Sequence, residues 1–133
     1  MAAAAARAAA DTSTAMADED FVSSTVNTTT TRVHGRTLNS ARGHHFIIDG
    51  PTRPGEEVFS MEACLAGISS CAVHLFEDFA EEEGIPLQQA GVTIEAFRKK
   101  DGLHRFDHID LTIAMAGPTR AQAEHLVERF KGR

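Results

Sequence analysis

A long apolar helix pattern between residues 60 and 83 constrains this chain more than any other feature. Apolar side chains recur there at steps of three and four residues, the spacing of one face of an α-helix. That face consists of Leu65, Ile68, Ala72, Leu75 and Phe79. Up to Phe76 the other faces are also mostly apolar, which predicts a helix that is buried on most sides. Exposing this helix in a small monomer leaves a large apolar patch, so we expect an intertwined dimer.

Both ends of this helix carry boundary signals. Ser60 occupies the expected N-cap position, and Glu62 in the first turn suits the positive end of the helix dipole. Gly84, followed by Ile85-Pro86, is typical of a helix end. Five acidic residues occupy the last turns, where we expect a solvated face: Glu77, Asp78, Glu81, Glu82 and Glu83.

Segments rich in β-forming residues precede the helix. Thr28–Leu38 and His44–Asp49 predict two strands that are joined around Asn39–Gly43. The segment at 50–58, GPTRPGEEV, contains two Pro and two Gly and therefore predicts a loop between the second strand and the helix.

Two more strands and a second helix follow. Val92–Arg98 and His108–Met115 alternate apolar and polar residues, as half-buried strands do, and the Asp-Gly pair in Lys99–Gly102 predicts a hairpin between them. Thr119 and Gln122 have the spacing of a capping box, which predicts a helix start. The apolar face of this helix contains Ala123, Leu126, Val127 and Phe130. The predicted order is β-β-α-β-β-α, an α+β fold with an antiparallel sheet packed on the buried central helix.

The first 24 residues differ in composition from the rest. Residues 1–20 form an Ala-rich tract with no apolar face for packing, so we predict a disordered tail at 1–24 and a folded domain at 25–133. The tract lacks the large apolar residues of a secretory signal, and a transit peptide normally carries more Arg and fewer acids. We therefore expect a cytoplasmic location rather than organellar targeting.

Charge and cysteine content narrow the function classes. The chain has 13 Lys and Arg against 19 Asp and Glu, a formal net charge of −6 that argues against a nucleic-acid surface. No stretch approaches the roughly 20 apolar residues of a membrane-spanning helix, so we expect no membrane partner either. Two cysteines are too few for a disulfide framework, which favours a reducing compartment.

The two cysteines lie on one face of the central helix. Cys64 and Cys71 are seven residues apart, about 10.5 Å along the axis, and cannot form a disulfide within an intact helix. A cysteine in an apolar helix is usually a small buried hydrophobe, so local sequence leaves a reactive Cys71 and a structural one both open. His74, three residues on, either pairs with the thiolate of Cys71 or packs elsewhere.

Motifs for other chemistry are missing from the sequence. No C-x-x-C, H-x-x-x-H or H-E-x-x-H spacing occurs, and the loop at 50–58 does not have the pattern of a phosphate-binding loop. No G-x-S-x-G signature of a serine hydrolase occurs. We therefore predict no metal site and no cofactor.

The segment Ser60–Cys71, SMEACLAGISSC, resembles the central-helix motif of the OsmC (osmotically inducible protein C) family, which is related to the organic hydroperoxide resistance proteins. Neighbouring segments agree with that family in order and spacing: Arg42-Gly43-His44, Ile48-Asp49-Gly50-Pro51, Gly84-Ile85-Pro86-Leu87, the V-T-I-E strand, and Phe106 to Gly117 before a capped helix. The resemblance covers roughly residues 25–133.

The resemblance implies a homodimeric thiol peroxidase that reduces organic hydroperoxides with a dithiol reductant. Cys71 matches the cysteine that attacks the peroxide, and Glu62 corresponds to the family's Glu at the helix start, displaced by one residue. The family also uses an Arg near the N-terminal strands to hold the thiolate and the peroxide. Arg42 is our choice for this role, with Arg32 and Arg36 as further candidates.

The sequence also departs from the family pattern. The second cysteine, which resolves the oxidised first one, normally follows the second helix, and this chain ends at Arg133 before that point. The resemblance thus implies that the domain is incomplete at its C-terminus. The missing cysteine and the displaced Glu62 favour the alternative of a non-catalytic OsmC-like dimeric module that binds a small apolar ligand or a partner chain.

Overall fold

The computed structural model describes residues 21–133; the Ala-rich tract at 1–20, where most of the predicted disordered tail falls, lies outside the described residues. The elements within the described residues are β1 (Asn27–Thr30), β2 (Arg36–Ala41), β3 (His44–Asp49), α1 (Ser60–Glu83), β4 (Gln89–Phe97), β5 (His108–Ala116) and α2 (Arg120–Lys131). The strands form one antiparallel sheet in the order β1-β2-β3 and a second antiparallel sheet of β4 and β5. The predicted α+β class is confirmed.

Three strands precede α1, so the predicted count of two is wrong. A turn at residues 31–35 divides Thr28–Leu38 into the end of β1 and the start of β2. Gly35 makes this turn possible, because its φ is +86° and a Cβ there would collide with the backbone carbonyl of Arg53. Because β-forming Thr and Val residues surround this single glycine, the sequence did not predict a strand boundary there. The observed order is β-β-β-α-β-β-α.

The hairpin between β2 and β3 is also tighter than predicted. Its turn consists of Arg42, at φ +50°, and Gly43, at φ +83°. Asn39, which the sequence placed at the start of the connection, lies in β2 and is buried. Its side-chain oxygen accepts a hydrogen bond of 2.7 Å from the Thr28 hydroxyl, so β1 and β2 are joined by a side-chain bond as well as by their backbones.

Local capping sets both ends of α1. The N-cap is Phe59 rather than Ser60, because Glu62 supplies the cap from inside the helix: its Oε2 accepts the backbone N–H of Phe59 at 3.1 Å. Gly84 ends the helix with a φ of +63°, as its position in the sequence predicts.

The core lies under the C-terminal half of α1. Five apolar side chains are fully buried there: Ala72, Phe76, Phe79, Ala80 and Leu126. Leu126 comes from α2, and the Phe76 ring packs 5.1 Å from that of Phe130. The sheet of β4 and β5 covers the same half of α1 with Val92, Ile113 and Met115.

The predicted strands and second helix after α1 are confirmed in kind and order. β4 and β5 pair along their whole length, from Gln89 with Ala116 to Phe97 with His108, and a loop at 98–107 joins them. Thr119 and Gln122 form the predicted capping box, with the Thr119 N–H donating to Oε1 of Gln122 at 2.9 Å.

Two of the acidic residues at the end of α1 bind α2 rather than forming only a solvated face. Arg129 donates to Glu83 at 2.7 Å and also pairs with Glu82. Its guanidinium lies 4.0 Å from the centre of the Phe79 ring. His125 Nε2 lies 2.8 Å from the other oxygen of Glu83. Ion pairs between the helices therefore offset the repulsion among these carboxylates.

The N-terminal half of α1 is largely exposed in the single chain. Ile68 is 41% exposed and both cysteines are exposed, whereas the buried side of the helix runs through Ala72 and Phe76. The prediction of a helix buried on most sides is thus wrong for one chain. By length and composition α1 could cross a membrane, although core helices of soluble proteins also meet this criterion. The statement from the sequence that no stretch approaches the apolar length of a membrane-spanning helix was therefore wrong.

Candidate functional site

Cys71 lies on an exposed face of α1 that we call the cysteine face, formed by Cys64, Gly67, Ile68 and Cys71. Both cysteines are free thiols. Seven residues of helix rotate by 700°, so Cys64 and Cys71 project within about 20° of each other and about 10.5 Å apart along the axis. This face points away from the buried Phe76, and its only large side chain, Ile68, is 41% exposed in the single chain.

Glu62 lies on the opposite side of α1 from Cys71. The two residues are nine positions apart, which is two and a half turns, or about 13.5 Å of rise. The Glu62 carboxylate is engaged at the helix start by the Phe59 N–H. Glu62 and Cys71 of one helix are therefore not brought together, and a contact between them needs a second chain.

Arg42 lies in the turn between β2 and β3, where its positive φ turns the chain into β3. Its side chain is exposed beside a surface cavity of about 480 Å³ that residues 23–27 and 40–43 line. Across residues 21–133, no hydrogen bond or ion pair joins Arg42 to Glu62 or Cys71. Its guanidinium is available to a ligand or to a second chain.

Arg36, another candidate from the sequence, is already occupied. Its Nε and Nη2 donate to the two carboxylate oxygens of Asp49 at 2.8 Å each, and Nη2 also donates to Glu56 at 2.6 Å. The hydrogen bond to Asp49 is the main reason that the pKa of Arg36 is raised. A guanidinium held by two carboxylates has little capacity left for a thiolate or a peroxide. Arg32 is exposed in the turn at 31–35.

Asp49 is a buried anchor that the sequence analysis did not single out. Besides the Arg36 pair, its Oδ2 accepts the backbone N–H groups of Glu56 and Glu57, each at 3.1 Å. The side-chain bond from Arg36, assisted by these backbone donors, lowers the pKa of Asp49 to about 2 against the opposing effect of burial. Asp49 thereby fixes the loop that leads from β3 into α1. Its signal in the sequence was a charged residue at the end of the apolar run Phe46–Ile48.

Replacing Asp49 by Asn is expected to destabilise the fold at neutral pH and to make its stability depend less on pH in the acid range. The pKa of Asp49 is lower in the folded state than its ordinary value of 3.8, so its stabilisation is complete above that value and is lost as the pH falls through about 2. Urea midpoints of wild type and Asp49→Asn should therefore converge as the pH is lowered. Asp101→Asn, in the exposed loop at 98–107, is the control. A difference between the urea midpoints of wild type and Asp49→Asn that stays constant at every pH would contradict this role.

A small pocket of about 190 Å³ lies between α1 and β4, and Cys71 is not among its lining residues. His74 and Val92 line it together with Ser69, Ser70 and Val73. Among the described residues, no hydrogen bond links His74 to Cys71. Within that same range, no group of three His, Cys, Asp or Glu is placed to hold a metal ion.

Comparisons with known proteins identify the family. The family of OsmC-like proteins matches residues 53–133, more than half of the chain. No curated protein matches the sequence. The fold is similar to an OsmC-like protein from Mycoplasma pneumoniae, with a TM-score of 0.75 and 13% identity over 84% of this chain and 82% of that one. It is also similar to an OsmC-like protein of unknown function from Vibrio cholerae, with a TM-score of 0.65 and 14% identity over 83% and 88% of the two chains. The chain belongs to the OsmC-like protein family.

Proposed function

We propose that this protein is a thiol-dependent peroxidase that reduces organic hydroperoxides, with Cys71 as the nucleophile. The observation that carries the proposal is the position of Cys71: a free, exposed thiol on an apolar helix face, inside the region that matches the family. A thiolate there attacks the O–O bond, forming an S–O bond and releasing an alcohol. A dithiol then restores the thiol. Hydroperoxide consumption by wild type and Cys71→Ser, described in the Discussion, tests the proposal.

A second copy of the chain completes this site in our proposal. The cysteine face leaves Ile68 41% exposed on a helix whose sequence is apolar on most sides. Covering that face with the same face of a second copy buries both sets of apolar residues at once. It also surrounds Cys71 with apolar groups, which suits a hydroperoxide with a hydrocarbon body.

The dimer is tested by its dependence on Ile68. We expect sedimentation to give a dimer for wild type and a shift toward monomer for Ile68→Asp, because a charge buried at the centre of an interface costs several kcal/mol. Leu103→Asp is the matched control, since Leu103 is 58% exposed in the loop at 98–107. A wild-type protein that sediments as a well-behaved monomer would rule out this arrangement.

Arg42 is our candidate for the cation that holds the thiolate and the peroxide. It is exposed and has neither of the carboxylate partners that occupy Arg36. Since Arg42 makes no bond to Cys71 within a chain, we assign its contribution to the second copy. Glu62 lies on the side of α1 opposite the cysteine face and is engaged at Phe59, so we give it no direct contact with Cys71.

Replacing Arg42 by Ala is expected to slow peroxide reduction by about ten- to a hundredfold, since a charge-assisted bond to the reacting atoms is typically worth about 1.5–3 kcal/mol. Stopped-flow consumption of cumene hydroperoxide measures this rate. Arg105→Ala, in the exposed loop at 98–107, should react at the wild-type rate. Equal rates for all three proteins would exclude Arg42.

A second candidate function is a non-catalytic module that binds a small apolar ligand. The observation that favours it is the engagement of Glu62 with Phe59 on the side of α1 opposite Cys71. Alkylation by iodoacetamide at neutral pH discriminates between the two candidates. A peroxidase should be alkylated faster at Cys71 than a free cysteine is, whereas an inert Cys71 in a folded protein would support the binding module.

A further inference from the structure

We propose that Cys64 of the second copy resolves oxidised Cys71, so that each catalytic cycle passes through a disulfide between the two chains. This inference rests on the proposed peroxidase function. Its starting point is the orientation of the two thiols: both are free, both are exposed, and they project from the same side of α1. Their separation of about 10.5 Å along one helix exceeds the roughly 7 Å that a disulfide allows between Cα atoms. Cys64 can therefore act on Cys71 only from another chain.

The cysteine face is complementary to itself. When two identical helices pack antiparallel about a twofold axis between Gly67 and Ile68, residues equally distant from that axis face each other. Cys64 then faces Cys71 of the second copy, and the same pair forms a second time by symmetry. In this register, each Ile68 faces Gly67 of the other helix.

The residues of the cysteine face favour this register over other packings of the two helices. Gly67 has open space where a Cβ would project, so it can receive the exposed Ile68 side chain of the second helix. A glycine at the crossing point also lets the helix axes approach to about 8 Å, the lower end of the usual range. Such an approach brings facing cysteines within reach of a disulfide. The register thus buries the one large apolar side chain of the face and pairs its two thiols.

The chemistry balances with the hydroperoxide as oxidant and a dithiol as reductant. The Cys71 thiolate attacks the hydroperoxide, so that an S–O bond forms, the O–O bond breaks, and the alkoxide takes a proton and leaves as an alcohol. Cys64 of the second copy then attacks the sulfenic sulfur, forming the S–S bond while the hydroxyl leaves as water with the Cys64 proton. A dithiol reductant returns both cysteines to thiols through two exchange steps and becomes a disulfide itself.

Oxidative cross-linking tests the inference separately from the peroxidase proposal. One equivalent of cumene hydroperoxide should convert reduced wild type into a covalent dimer on non-reducing gels, and peptide mapping should find Cys64 joined to Cys71. Neither Cys64→Ser nor Cys71→Ser alone should cross-link. A mixture of these two variants, exchanged through mild denaturant, should cross-link through the one intact pair. Circular dichroism confirms that the variants are folded.

The outcomes separate the two claims. Peroxide consumption by Cys71 without a covalent dimer would overturn the role of Cys64 and leave the peroxidase proposal intact. If Cys71 does not react with peroxide, the thiol oxidant diamide tests the register alone: a Cys64–Cys71 dimer supports it. A dimer joined through two Cys71 residues in Cys64→Ser, or no dimer in wild type, overturns it.

Discussion

Replacing Cys71 by Ser is expected to abolish the consumption of cumene hydroperoxide in the presence of dithiothreitol, down to the rate of the reductant alone. A serine hydroxyl is a far weaker nucleophile toward the O–O bond than a thiolate, so the loss should be at least about a hundredfold. The position is exposed and a serine differs from cysteine in one atom, so the fold should be unaffected. A ferrous-oxidation assay of the remaining hydroperoxide measures the rate.

Ser70→Ala is the matched control for this experiment. Ser70 precedes Cys71 on α1 and is exposed, but we give it no part in the chemistry. It should consume the hydroperoxide at the wild-type rate. Equal consumption by wild type and Cys71→Ser would dismiss the peroxidase proposal and leave the binding module as the better account.

Replacing Phe76 by Ala is expected to lower the free energy of unfolding by about 3–5 kcal/mol, the usual cost of removing a buried aromatic ring. Phe76 is fully buried, and its ring packs 5.1 Å from that of Phe130, joining α1 to α2. A small domain is typically stable by about 5–15 kcal/mol, so this single change consumes a large share of the total.

Urea unfolding followed by circular dichroism measures the effect of Phe76→Ala. Leu103→Ala is the comparison, because Leu103 is 58% exposed and should lose less than about 0.5 kcal/mol. A Phe76→Ala protein as stable as Leu103→Ala would mean that the core does not lie where α1 meets α2.

The elements with local signals could be predicted from the sequence. Gly84 ends α1 because a left-handed residue closes the helix there, and the Thr119 and Gln122 pair caps α2 with groups three residues apart. β5 follows the alternation of Ile109–Met115 because each strand residue points to the opposite side from the one before it. Each of these features depends on residues that lie close together in the sequence.

The features that were missed depend on contacts between distant residues. The turn at 31–35 needs Gly35 because of the Arg53 carbonyl, 18 residues away in the chain and visible only in the fold. Asp49 of β3 is held by Arg36 of the neighbouring strand β2, and no spacing of residues in the sequence predicts this pair. Ile68 belongs to the apolar stripe of α1, but the packing of the single chain leaves it 41% exposed.

The candidate site was predictable only in part. The resemblance to the family, not the spacing of residues, directed attention to Cys71, which lies within the matched range 53–133. The nine-residue interval from Glu62 already places it opposite Cys71 on a helix, yet the use of its carboxylate at Phe59 emerges only from the structure. Which residues of a second copy approach Cys71 depends on how two chains pack, and a single sequence carries no direct signal for that.

The most direct test of the account is to trap the product of the first chemical step. Cys64→Ser keeps Cys71 as its only thiol. One equivalent of cumene hydroperoxide, added with dimedone, should give a dimedone adduct on Cys71 by mass spectrometry, since dimedone reacts with sulfenic acids. An unmodified Cys71 in a folded protein, with the hydroperoxide still present, would contradict the claim that this thiol reduces peroxides.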